Sequence, residues 1–201
     1  MKYKTILWDF DGVILDSMKV RDWGFREIFK SFDNEKVEAL LKYHTLNGGL
    51  SRYVKIRYFY EEILGKEITE NEVLEYANEF SLLMKKELVN PINLIPDSLK
   101  FIKENYKKYN FHIVSGSDQE ELRFLCKELK IDYYFLSIYG SPTPKSKLVK
   151  DLLDSYKYNH TVTCLIGDSI NDFEAARDNG IYFLAYNNSE IEKLSDISPL
   201  F

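Results

Sequence analysis

A chain of 201 residues, 45% of them apolar, has the material for one sizeable core and falls outside the disordered class. Its formal charge of -5 argues against a nucleic-acid partner held by bulk charge. The two cysteines, Cys126 and Cys164, are too few for a disulfide framework or a zinc site of the usual spacing, and their apolar settings suit buried thiols. No apolar run is long enough to cross a bilayer and no signal-like segment precedes the first strand, so no membrane partner and a cytoplasmic location are expected.

Thr5-Ile6-Leu7-Trp8 reads as a short buried strand that stops at Asp9-Phe10-Asp11-Gly12. Strand alternation sends Asp9 and Asp11 to one side, and two like charges so close invite a cation or a shared proton. Gly12 gives the backbone freedom for an abrupt exit. Alone, the same residues would equally make a strand-ending turn. Asp16-Ser17 can then cap a helix whose apolar face carries Val20, Trp23, Phe25, Ile28 and Phe29. After a polar break at Ser31 to Glu35, Val37, Leu40, Leu41 and Tyr43 mark a second helix, ended by Asn47-Gly48-Gly49. Ser51 to Leu64 is rich in aromatic residues. Thr69 and Glu72 form a capping box at the head of a long helix reaching Leu88. Residues 17–90 are thus expected to be all-helical.

The pattern changes at Asn90-Pro91. A helix from Pro96 to about Tyr109 leads into alternating elements: strand Phe111 to Val114, helix Gln119 to Leu129, strand Tyr134 to Ile138, helix Lys145 to Tyr156, strand Thr161 to Ile166, helix Asp172 to Asp178 and strand Ile181 to Ala185. Such alternation implies parallel strands joined by right-handed crossovers, an α/β fold of Rossmann-like type flanked by helices. The first strand must join that sheet. The expected organisation is a core of residues 1–16 and 91–201, with residues 17–90 inserted as a helical cap. The tail ending Pro199-Leu200-Phe201 carries no assignable signal.

A second acidic cluster, Gly167-Asp168-Ser169-Ile170-Asn171-Asp172, also follows a strand-like run. Two strand ends bearing paired carboxylates suggest one metal site built from both. With these motifs the chain resembles the haloacid dehalogenase superfamily of hydrolases, in the small helical-cap branch that holds phosphoglycolate phosphatase and β-phosphoglucomutase. The resemblance implies Asp9 as nucleophile, forming an aspartyl-phosphate, and Asp11 as general acid and base. Relatives that dehalogenate lack an acid at the second position, so phosphoester hydrolysis is favoured. Ser115, at a strand end, corresponds to the hydroxyl residue that contacts phosphate. Gly12, Gly116 and Ser117 are further contacts, although many relatives have Asn after the hydroxyl residue. Lys145 matches the family's lysine, with Lys147 as competitor because relatives often place Pro after it and this chain has Ser146. The resemblance further implies Mg²⁺ held by Asp9, the Asp11 carbonyl and Asp168, with Asp172 in support. Arg52, in Asn47-Gly48-Gly49-Leu50-Ser51-Arg52, is a candidate second phosphate or carboxylate contact, or else a surface arginine. His44 is expected at the surface, and Tyr53, Arg57, Tyr58 and Tyr60 are expected to pack the cap.

The function so implied is a Mg²⁺-dependent phosphatase acting on a small soluble phosphate monoester. The alternatives are a phosphomutase of β-phosphoglucomutase type and a non-catalytic binder of phosphate ligands. Phosphonate cleavage is disfavoured, because the relatives that perform it lack the acid at Asp11. The residues do not specify the ester or the oligomeric state.

Overall fold

A computed structural model describes residues 3–201. Its centre is a five-stranded parallel sheet in the order β3-β2-β1-β4-β5. These strands are β1 (Thr5–Trp8), β2 (Asn110–Asp118), β3 (Ser137–Ser141), β4 (Thr163–Gly167) and β5 (Tyr182–Ala185). β1 is buried along its whole length, as a middle strand covered on both faces must be. Its side chains alternate between two cores. Ile6 and Trp8 join the larger cluster with Phe111 and Phe101, and Leu7 joins Val114, Leu165 and Val149 on the opposite face. Helices α5 (Pro96–Asn105), α6 (Gln119–Glu128), α7 (Lys145–Tyr156) and α8 (Ile170–Asp178) cover the sheet.

Between β1 and β2 the chain makes α1 (Met18–Ile28), α2 (Asn34–Leu46), α3 (Arg52–Tyr58) and α4 (Glu70–Glu87). Among the described residues this insertion contributes no strand to the sheet. Its interior is aromatic: Phe25 meets Phe80 at 4.6 Å, and Phe29 meets Phe59 at 4.2 Å and Tyr76 at 4.9 Å between ring centroids. The capping box of Thr69 and Glu72 heads α4 as the sequence predicts. α3 runs on into a wider turn at Phe59–Ile63, where Leu64 N bonds to Phe59 O.

Several local expectations need correcting. The strand expected at Tyr134 to Ile138 is split into a single 3₁₀ turn, Asp132–Tyr134, and the later β3. The buried ring of Tyr134 packs on Tyr106, and pairing with β2 begins only at His112 opposite Ser137. Thus the neighbouring strand sets the register, and local apolarity does not. β2 extends past Val114 to Asp118, and α8 starts at Ile170, before Asp172. Trp23 stays 38% exposed, so the apolar face of α1 is narrower than its periodicity suggests. The tail does have a place: the Phe201 ring lies 5.7 Å from Trp8, 5.0 Å from Phe101 and 5.1 Å from Tyr186.

His112, buried in β2, contacts Ser137 Oγ through Nδ1 at 2.7 Å and Tyr158 Oη through Nε2 at 3.0 Å. Burial holds its imidazole down to about 4, from an ordinary 6.5. Below pH 6.5 the unfolded chain takes up a proton there that the folded chain refuses, so acid costs stability over that interval. Relative to His112→Gln, the wild type should therefore lose up to about 1.4 kcal/mol per pH unit. Urea titrations of both proteins at steps from neutral pH to 4 check this, and parallel stability curves would contradict it.

Candidate active site

The carboxyl ends of β1, β2 and β4 converge, and the first acidic residue sits where β1 stops. Asp9 N still donates to Ile166 O at 2.9 Å, which fixes the backbone, and the Asp9 side chain is buried. Lys145 opens α7 and places Nζ 2.9 Å from Asp9 Oδ1, while also pairing with Asp172 Oδ1. Asp172 Oδ2 accepts from Ser169 N at 3.0 Å and from Ser169 Oγ at 2.6 Å, closing a capping box on α8. Carboxylate oxygens of Asp9, Asp168 and Asp172 all lie within 4.8 Å of one another. Lys147, by contrast, is at the surface on Asp151, so Lys145 is the lysine brought to the cluster.

Electrostatics here are dominated by burial. Burial and the nearby Asp172 raise Asp9, with Lys145 only partly opposing them. Burial, Asp9 and Asp172 likewise raise Asp168. Burial works against the Lys145 ammonium, but Asp172 and Asp9 outweigh it and hold it above its ordinary range. Three carboxylates share one lysine, and a positive charge is wanting. Both oxygens of Asp172 are engaged, which leaves Asp9 and Asp168 to offer hard oxygen donors. Such a donor set fits Mg²⁺. Gly12 makes the close approach feasible. Its φ is +74°, and a Cβ there would collide with Asp168 Oδ2. The loops are tied from behind, where Asn187 Nδ2 donates to Gly12 O at 3.1 Å and Asn188 Nδ2 to Asp168 O at 2.7 Å. Neither asparagine was marked by the sequence, since both sit in a polar stretch without periodicity.

The Asp11 carboxylate is gripped by Ser17 Oγ at 2.5 Å, Arg21 Nε at 2.7 Å and Ser117 Oγ at 2.5 Å. Burial would raise its pKa, but Arg21 and the two hydroxyls outweigh burial and hold it below the usual carboxylate range. Ser17 therefore spends its side chain on Asp11, and α1 lacks the side-chain cap expected of it. Ser115 is buried and its Oγ accepts from Ser117 N at 3.1 Å. Gly116 passes directly beneath the insertion, and a Cβ there would collide with the carbonyl oxygen of Gly49.

The insertion adds buried polar groups to the far wall. Arg52 Nη1 meets Glu121 Oε2 at 2.6 Å and Ser81 Oγ at 2.7 Å, with its guanidinium 4.6 Å over Phe80. It is buried, so the surface alternative for Arg52 is ruled out. His44, expected at the surface, is also buried, its Nδ1 2.8 Å from Lys55 Nζ. Arg21, Lys55 and Glu121 were missed altogether. All three lie on helices where charged residues ordinarily face water, and only tertiary packing turns them inward. Tyr43 stacks on Tyr58 at 3.6 Å, Tyr60 bonds to Tyr76, and Arg57 pairs with Glu70, all within the insertion. Tyr53 instead crosses to the sheet side and donates to Asp118 at 2.8 Å. Between the two walls lies a cavity of about 30 Å³, lined by Asp9, Asp11, Ser115, Asp168, Arg21 and Lys55 among others.

The family model described as haloacid dehalogenase-like hydrolase matches residues 6–186. The chain belongs to this family. Its haloacid dehalogenase-like fold is shared with β-phosphoglucomutase (pgmB) from Clostridium difficile, at 16% identity and TM-score 0.78, over 97% of this chain and 89% of that one. A predicted phosphoglycolate phosphatase from Haemophilus somnus 129pt shares 18% identity at TM-score 0.69, over 92% and 85% of the two chains. The HAD-hydrolase YfnB from Bacillus subtilis, bound to magnesium, shares 16% identity at TM-score 0.68, over 93% and 90%. At these identities the likeness is one of fold. No curated protein matches this haloacid dehalogenase-like chain by sequence. Among its described residues, no helix is long and apolar enough to cross a membrane.

Gly116→Ala tests the seating of the insertion. The added methyl group should hold Gly49 off the sheet edge and lower kcat/KM by about 10²-fold, while amide protection in β1 and β4 stays as in the wild type. Unchanged turnover would show that the insertion need not seat at Gly116.

Proposed function

We propose that the protein is a Mg²⁺-dependent phosphatase that hydrolyses a small soluble phosphate monoester through an aspartyl-phosphate on Asp9. The observation that carries this reading is the division of labour between two aspartates separated by a single residue. Asp9 faces Lys145 and Asp168, whereas Asp11 is held by Ser17, Arg21 and Ser117. An oxygen of Asp9 attacks phosphorus as the ester oxygen departs, and that oxygen takes its proton from Asp11. In the second half Asp11 accepts a proton from water, whose oxygen attacks phosphorus and returns Asp9 as carboxylate. The three donors around Asp11 favour its carboxylate form, which this second half requires, whereas the first half requires its protonated form.

Lys145 stays charged throughout and offsets the anionic phosphoryl oxygens, while Asp172 holds it in place. Ser115 and Ser117, with backbone NH groups near Gly116, are the proposed phosphate contacts at the end of β2. Asp9, Asp168 and the Asp11 carbonyl would hold the Mg²⁺ ion, which supplies charge neutralisation for the phosphoryl group. Family membership supports hydrolase chemistry in general, and the buried carboxylate cluster supports a divalent ion. A lining of buried side chains supports a small substrate, and the acidic overall charge disfavours nucleic acid.

Asp9→Asn should depress p-nitrophenyl phosphate turnover by at least about 10³-fold, with the fold unchanged by circular dichroism. Persistence of turnover in that variant would sink the covalent mechanism. Dialysis against EDTA should abolish activity, and added MgCl₂ should restore it; turnover indifferent to chelator would remove the metal from the account. Lys145→Met should cost about 10²-fold or more in kcat, whereas Lys147→Met should leave kcat within about twofold of the wild type. Equal losses in the two variants would overturn the choice of lysine.

A further inference from the structure

Two loops carry the oxygens of the proposed metal site, and the sheet itself does not join them. β1 and β4 stay paired up to the bond from Asp9 N to Ile166 O. Beyond that rung, among the described residues, no backbone hydrogen bond runs between 10–13 and 167–169. Yet the loops lie so close that a Cβ on Gly12 would strike Asp168 Oδ2. What joins them comes from a third segment, the one that follows β5.

Tyr186 N donates to Gly167 O at 2.9 Å and carries the pairing of β5 with β4 one residue further. The next two residues then send side-chain amides to the two loops, one to each. Asn188 Nδ2 donates to Asp168 O at 2.7 Å, and Asn187 Nδ2 donates to Gly12 O at 3.1 Å. Among the described residues neither carbonyl oxygen has a second donor. The Asp168–Ser169 peptide is thereby held on both edges, since its N–H donates to Asp172 Oδ2 at 3.0 Å. The Asp11–Gly12 peptide donates its N–H to Leu15 O at 2.8 Å, and Asn187 holds the carbonyl of the peptide that follows. The Asn188 amide is itself oriented: its Oδ1 accepts from Glu190 N at 3.0 Å, which leaves the nitrogen to face Asp168. Asn187 has a φ of +56°, a left-handed conformation that asparagine adopts more readily than most residues. Both line a cavity of about 520 Å³ on the tail side, so hydrogen bonds, and not close packing, brace the loops there.

We propose that Asn188 and Asn187 are positioning residues that act as one staple, fixing the separation of the Asp168 loop from the Asp11–Gly12 loop and thereby biasing the site toward Mg²⁺ over Ca²⁺. This deepens the Mg²⁺-dependent reading and rests on it. Mg²⁺ demands near-ideal octahedral geometry with oxygens at about 2.0–2.1 Å, whereas Ca²⁺ accepts about 2.3–2.6 Å and a looser shell. Loops held at one separation suit the smaller ion, and loops free to spread suit the larger. Neither asparagine is a proposed ligand. Each acts through a peptide next to one, in the way that outer partners commonly tune a metal site.

The test is calorimetric titration of the intact, metal-free protein with MgCl₂ and, separately, with CaCl₂. Asn188→Ser keeps a side-chain oxygen for Glu190 N but ends one bond short of the amide nitrogen that reaches Asp168 O. Asn187→Gly keeps the left-handed backbone and removes the other amide. Mg²⁺ affinity should fall about tenfold or more in Asn188→Ser, with Ca²⁺ affinity within about threefold of the wild type. Half-maximal turnover of p-nitrophenyl phosphate should need correspondingly more MgCl₂, and raising MgCl₂ should recover most of kcat. If circular dichroism shows Asn188→Ser unfolded, Asn187→Gly carries the test, with a loss of about threefold that again falls on Mg²⁺ alone. Unchanged Mg²⁺ affinity, or equal losses for the two ions, would overturn the staple while leaving the metal and the phosphatase readings in place. A wild type that binds neither ion would remove the metal reading and the staple with it.

Discussion

Everything at the sheet edge depends on negative charge confined where water cannot screen it. Asp9, Asp168 and Asp172 approach one another closely, and among the described residues only Lys145 pairs with them. Like charges in a buried setting are tolerable when a fixed cation bridges some of them and the others retain an oxygen for a mobile one. Lys145 does the first by spanning Asp9 and Asp172. The geometry of β1, β4, α7 and α8 is what delivers these four groups to one point, because each sits at a strand end or a helix start. The packed sheet beneath, with Leu7 and Ile166 fully buried, keeps those ends from drifting apart.

The insertion is joined to the sheet by charge as much as by apolar contact. Arg21 links α1 to Asp11 and to Glu121 of α6, and Arg52 links α3 to the same Glu121. Glu121 is fully buried. It is held by two arginines from two different helices, so withdrawing the insertion would strand a carboxylate in apolar surroundings. The cost of that separation favours the seated arrangement, in which the Gly49 carbonyl lies over Gly116. The two arginines that dock the insertion also line the cavity.

Much of this was readable from the chain alone, for reasons that differ by element. β1 and β4 announce themselves by unbroken apolar runs that end in acidic residues, a pattern with few physical explanations. The long helix headed by Thr69 and Glu72 has a cap that fixes its start. β3 was misplaced because an apolar stretch at Tyr134 to Ile138 fits a 3₁₀ turn as well as a strand, and only pairing with His112 decides between them. Arg21, Lys55 and Glu121 were illegible because a charged residue on a helix gives no local sign of facing inward. Burial of His44 was hidden for the same reason. The one arginine that could be anticipated, Arg52, stood out by following a pair of glycines, and that signal left open whether it faced inward.

The two asparagines behind the site have a bearing on when the protein first becomes competent. Asn187 and Asn188 anchor the carbonyls of Gly12 and Asp168, joining segments made early and late during synthesis. While the ribosome still holds this stretch, the loop carrying Asp11 and Gly12 has no rear fastening, even if α1 to α4 have already collapsed around their aromatic rings. Because both asparagines follow β5, that fastening forms only after the last strand of the sheet has been made.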